Sequence, residues 1–300
     1  LEDQVYDLQY EFDKQADEVK RLKTENTRLK SQLEAATLSP TVPEMDDGGP
    51  ALIDLSAGEP DFGTPQCIID AAKRALDDGA TRYTPVRGTD ALIKASQKKI
   101  ERDQGVRYEA NEIIHAVGAK AAIATALECL VGPGDEVITQ AFNFIATIEA
   151  IIDCGAIPIM CPVDQNLHID LNALTKLCDE HNDIEAIIIV HMLGMGGPVI
   201  DLLEISQSRN IPILEDNCES IGATCDGKLL GSIAPCGVLS MDHGKMITSG
   251  EGGIVLSQDE KIFSYVRSFS DHGHAYDSSV PRGLDPRVMP GFNYRLTEIQ

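Results

Sequence analysis

The sequence predicts an α/β fold, a largely parallel sheet with helices on both faces, preceded by an α-helical coiled coil. Three observations carry this expectation. Short Val/Ile-rich runs alternate with amphipathic helical segments over residues 51–300, an apolar heptad period fills residues 1–37, and a Pro/Gly-rich stretch at 38–50 divides the two.

In the first segment, Val5, Phe12, Val19, Asn26 and Leu33 fall at the a positions, and Leu1, Leu8, Gln15, Leu22, Leu29 and Ala36 at d. A seam sustained at this spacing supercoils, and a single buried Asn26 amide favours a parallel, in-register dimer. Glu18 and Glu25 at g face Lys23 and Lys30 at the following e positions, which suits the same pairing. The alternative is a lone amphipathic helix lying on the body. Residues 38–50 (LSPTVPEMDDGGP) read as a linker.

With 48 acidic and 25 basic side chains in 300 residues, the formal charge is −23. That field repels a phosphate backbone, so no nucleic-acid partner is expected, and anionic membrane surfaces are disfavoured for the same reason. No apolar run reaches the ~18 residues of a membrane span. The opening LEDQVYDLQY has neither the basic nor the apolar part of a signal peptide, and eight cysteines without a CxxC read as reduced thiols. A cytoplasmic protein is expected.

Buried strands are expected at EIIHAV, DEVIT, IPIMCPV, EAIIIVHML and IPILED, with GVLSM and GGIVLS adding two more around a Gly-rich turn. Three of the connections carry chemistry. In AVGAKAAIATAL (116–127), Gly118 makes a tight turn into a helix whose free N–H groups form a ready anion site. In ILEDNCES (213–220), Glu215 and Asp216 stand at the edge of a strand where open α/β sheets bind ligands, and a carboxylate there suits a cationic ring nitrogen. In SMDHGKMITSGEGG (240–253), Lys245 occupies a polar loop between two strands, where an amine of lowered basicity can bond a carbonyl. Taken singly, each has an ordinary structural explanation; their order along the chain gives them weight. His243, His272 and His274, with Cys218 or Cys236, have no zinc-site spacing, so no metal is expected.

The stretches EDNCESIGATCDGKLLGS, SMDHGKMITSGEGGIVLS, DHGHAYDSSVPRG and GFNYRLTEIQ make residues 138–300 resemble the DegT/DnrJ/EryC1/StrS sugar aminotransferases. Residues 51–137 are similar to class I aminotransferases, through IDLSAGEPDFGTP, RYTPVRGTDAL and GAKAAIATAL. The resemblance implies the fold type I architecture of enzymes dependent on pyridoxal 5′-phosphate (PLP), of aspartate-aminotransferase type, and a large domain at 51–300 whose C-terminal small domain is missing or incomplete. The heptad segment belongs to neither family.

Residue by residue, the resemblance makes Lys245 the lysine that bonds the cofactor and then moves the proton, and Asp216 the partner of the pyridinium nitrogen. Phe144 takes the ring-stacking position and Ser240 a phosphate-binding one, with the backbone N–H groups of Ala119 and Lys120 beyond Gly118 completing the cradle. Glu219 stands where relatives often have Gln or His near the phenolic oxygen, a departure that unsettles that hydrogen bond. Asn293 reaches the phosphate of a second subunit, as Tyr83 does in class I enzymes, so a homodimer with shared active sites is implied. Arg295 is the candidate for a substrate carboxylate.

The reaction implied is transfer of an amino group from L-glutamate to a nucleotide-linked keto-sugar. Two alternatives stand beside it. One is a PLP-dependent sugar 3-dehydratase, which ILEDNCES resembles but whose motif has His in place of Lys245. The other is a catalytically inactive coiled-coil assembly protein.

Overall fold

A computed structural model describes residues 62–300. The coiled coil assigned to 1–37, the linker at 38–50 and the start of the α/β body lie outside the described residues.

The body is built on a seven-stranded sheet. Two helices lead in, α1 (Gln66–Asp77) and α2 (Asp90–Gln104), the second started by the Thr89 side chain accepting from the Leu92 N–H. There follow β1 (Ile113–Ala116), α3 (Ala119–Glu128), β2 (Glu136–Gln140), α4 (Ile145–Asp153), β3 (Ile157–Cys161), α5 (Leu171–Glu180), β4 (Ile184–Val190), α6 (Val199–Arg209) and β5 (Ile213–Asp216). A short hairpin, β6 (Thr224–Cys225) with β7 (Lys228–Leu229), precedes β8 (Cys236–Ser240), β9 (Gly253–Ser257) and α7 (Glu260–Phe269). Every strand expected from an apolar run is present.

The spatial order is β1-β9-β8-β5-β4-β2-β3. The pairs from β8 through β5, β4 and β2 to β3 are parallel, whereas β9 runs antiparallel to both β8 and β1. The cause is the connection: no helix forms between Ser240 and Gly253 to carry a parallel crossover, so the chain turns straight back.

The central strands are buried on both faces, which is why they read as continuous apolar runs. In β4, Ile188 and Val190 join one core with Ala122, Ala126 and Leu127 of α3 and Ile151 of α4. Ile187 and Ile189 join the other, with Leu174 of α5 and Leu202 of α6. The same alternation sorts the end of β5. Leu214 belongs to the α3/α4 side and Ile213 to the α5/α6 side, so Asp216 turns to the first and Glu215 to the second.

Candidate active site

A cavity of about 670 Å³, counted to its open mouth, lies at the C-terminal edge of the parallel strands. It gathers Gly118, Ala119 and Lys120 after β1, Phe144 and Thr147 after β2, Met192 after β4, Cys218 and Glu219 after β5, and Asp242 and Lys245 after β8. Asp216 and Ser240, the last residues of β5 and β8, close its floor.

Asp216 is buried, and its carboxylate is held from two sides. The Thr147 hydroxyl donates to Oδ2 at 2.7 Å, and the Cys218 backbone N–H donates to Oδ1 at 3.2 Å. Burial and the neighbouring Asp216 carboxylate push the Cys218 thiol well above its ordinary value, keeping it a neutral wall of the site. Thr147 was not singled out from the sequence. Its signal was one helical turn past Phe144 in QAFNFIAT, where the first turn of α4 brings the hydroxyl over the end of β5.

Lys245 is partly buried, and its Nζ lies 3.5 Å from Oε1 of Glu219. The other oxygen of Glu219 accepts the Leu193 N–H at 3.3 Å. Leu193 itself sits at φ 56°, a left-handed conformation that a branched residue adopts only when its surroundings impose it. Glu219 thus ties the loop after β4 to the lysine.

Helix α3 starts at Gly118 with no side-chain cap, so its leading N–H groups are left for whatever the cavity holds. Gly118 does not make the tight turn expected of it: its φ of 174° is extended backbone that any residue adopts. The glycine that the packing demands is Gly253, where a Cβ would lie 2.7 Å from the Ala119 nitrogen. Ser240 accepts the Asp242 N–H at 3.2 Å and keeps its own hydroxyl proton for the cavity. Phe144 is half exposed at the mouth.

Glu215, paired with Asp216 in the expectation for a ring-nitrogen partner, is not in the cavity. It is fully buried on the opposite face, where it accepts the N–H groups of Gly231, Ile233 and Ala234 and contacts His191 Nε2 at 3.1 Å. It fastens the segment leading into β8. Asn293 and Arg295 also lie outside the lining of this chain's own cavity. At the rim, half-buried Asp242 and exposed His243 and Glu251 bring ligand-type atoms within 4.8 Å of one another, a grouping that spacing did not predict; such a rim cluster is not in itself a metal centre.

The residues present fit an anionic, ring-bearing cofactor. An uncapped helix start and a serine hydroxyl are available to an anion, a buried carboxylate to a ring cation, and an amine to a carbonyl.

The model of the DegT/DnrJ/EryC1/StrS aminotransferase family matches residues 98–300, and the chain belongs to that family. The match starts at residue 98, upstream of the expected 138. The chain is similar to the GDP-perosamine synthase of Caulobacter vibrioides, with 32% identity covering 57% of this chain and 44% of that protein. To the L-glutamine:2-deoxy-scyllo-inosose aminotransferase of Streptomyces fradiae it is 30% identical, covering 81% of this chain and 57% of the relative. An aspartate aminotransferase of Geobacillus stearothermophilus is 42% identical over 44% of this chain and 34% of its own length, in line with the class I resemblance. Among solved structures, an aminotransferase from Psychrobacter cryohalolentis superposes with a TM-score of 0.69 at 26% identity, covering 80% of this chain and 60% of that one. The chain spans about half the length of the curated relatives it matches.

Proposed function

We propose that the protein is a PLP-dependent aminotransferase that moves an amino group from L-glutamate to a nucleotide-linked keto-sugar. The observation that carries this reading is the convergence of Lys245, Asp216 and the open start of α3 on one cavity. The names of two relatives, a perosamine synthase and an aminotransferase of an inosose, support a sugar or cyclitol ketone as acceptor.

When bound, PLP supplies the electron sink that makes a proton next to the amine labile. The chain supplies the rest. Asp216, aligned by Thr147 and the Cys218 N–H, would keep a ring nitrogen protonated. Ser240 and the N–H groups of Ala119 and Lys120 would hold the phosphate, and Phe144 would lie against the ring. Lys245, which lines the cavity, would be the amine that holds the cofactor's carbonyl carbon and, when free, the base that moves the proton. Glu219, 3.5 Å from that amine, would hold it in the cavity.

The dehydratase alternative needs a histidine in the lysine's place. His243 is exposed and engages Asp242 at 3.1 Å, while Lys245 lines the cavity, which favours transamination. The family resemblance of the GFNYR motif supports a homodimer with shared sites, in which Asn293 of one copy would reach the phosphate held by the other. The free thiols, three of them buried, suit a reducing cytoplasm. Among the described residues, no helix is long and apolar enough to cross a membrane.

The test is a glutamate half-reaction on the PLP-loaded chain. Conversion to the amine form of the cofactor, with release of 2-oxoglutarate, supports the reading, and an inert loaded chain refutes it.

A further inference from the structure

After α7 the chain runs back with only a short 3-10 turn (Arg282–Leu284) and isolated bridges, and Arg295 ties it to two distant segments. Its Nε donates to Asn293 Oδ1, its Nη1 donates to the Thr84 carbonyl at 3.2 Å, and its Nη2 lies 3.7 Å from Asp271 Oδ1. The guanidinium also sits over the Tyr83 ring, 5.0 Å from its centroid. All three nitrogens face a partner, so this arginine is not a free cation waiting for a substrate carboxylate.

The orientation of Asn293 follows from chemistry. Arginine has no acceptor, so the asparagine must turn its oxygen toward Nε, and its two N–H donors point away. Among the described residues no acceptor takes them, and both Asn293 and Tyr83 are exposed.

Beneath this lies Asp271, 1% exposed. Its Oδ2 accepts the Tyr276 hydroxyl at 2.5 Å and an Arg282 N–H, while Oδ1 has no hydrogen bond and faces Arg295. Such a buried, half-partnered carboxylate anchors the guanidinium by charge.

We propose that Arg295 is a positioning residue, held by Asp271, which sets the Asn293 amide and the Tyr83 side chain, through its hydroxyl, as one donor patch for the cofactor phosphate in the neighbouring copy. The proposal rests on the shared-site reading above. A planar fork that serves three directions is needed here, and a lysine ammonium does not reproduce it.

The full chain, freed of cofactor, is titrated with PLP and with pyridoxal, which lacks the phosphate, and the visible absorbance band is read. The ratio of the two affinities isolates the phosphate contacts. Asn293→Ala should lower that ratio about tenfold, the size of one charge-assisted hydrogen bond. Arg295→Lys should lower it as much, and the double variant should be no worse than Asn293→Ala alone, because both act through one group. Asp271→Asn removes the charge opposite Nη2 without touching the patch, and it should lower the ratio too.

Losses that multiply in the double variant overturn the proposal. So does an unchanged ratio in Arg295→Lys or Asp271→Asn, or an Arg295→Lys variant in which only the KM for amino donor rises. If Asn293→Ala itself leaves the ratio unchanged, the shared-site reading fails, and the proposal falls with it.

Discussion

The hydroxyl of Thr147 donates to the carboxylate of Asp216 at 2.7 Å, joining the first turn of α4 to the last residue of β5 inside the cavity. A neutral donor in the first turn of a helix aligns the acid without neutralising its charge. That charge is the property the site needs from Asp216.

Thr147→Val keeps the shape and removes the donor. Cofactor affinity should change little, while the half-reaction with glutamate should slow by about tenfold, equivalent to ~1.4 kcal/mol. Rapid-mixing absorbance measures both. An unchanged rate would remove Thr147 from the mechanism.

Asp216→Asn separates binding from chemistry. The phosphate contacts remain, so the chain should still load, but an amide cannot keep the ring nitrogen protonated. Turnover should therefore fall by far more than affinity. Equal losses, or comparable turnover, would show that Asp216 does not play this part.

Glu215→Ala is expected to act on stability alone. Three backbone N–H groups and His191 would lose their buried acceptor, at a cost of about 3–5 kcal/mol in urea unfolding. The PLP absorbance of the folded fraction should match wild type, since Glu215 faces away from the cavity.

Acid should loosen the chain through Asp271. Burial raises its carboxyl, but hydrogen bonds from Arg282 and Tyr276 outweigh this and hold it below its ordinary value. Its contribution is complete above the unfolded-state value, about 3.9, and is lost as pH falls through the lower folded value. The unfolding midpoint of Asp271→Asn should accordingly be lower than wild type at neutral pH, and the two should converge in acid. A constant difference across that window would contradict the role.

The sheet was legible because parallel strands buried on both faces write continuous Val/Ile runs, and EAIIIVHML and IPILED are unmistakable as such. The reversal of β9 was not, since nothing in SMDHGKMITSGEGG states that it lacks a crossover helix. The hairpin at Thr224–Cys225 and Lys228–Leu229 is too short to show a period. Lys245 and Asp216 were found through the order of their motifs. Thr147 and the contacts of Arg295 were not, because side-chain hydrogen bonds between distant segments leave no local pattern. The Arg295–Thr84 bond spans 211 residues. The strand period separates Glu215 from Asp216, but which of the two met the cavity depended on where α3 and α4 packed.

The central claim is that Lys245 bonds PLP in a cavity whose acid is Asp216. The most direct measurement adds PLP to the full chain, reduces with borohydride, and maps the labelled peptide by mass spectrometry. The account predicts a visible band on loading and a pyridoxyl group on Lys245, both absent in Lys245→Ala with the fold intact. A label on Lys120 or Lys228 instead, or a band that survives in Lys245→Ala, would contradict it.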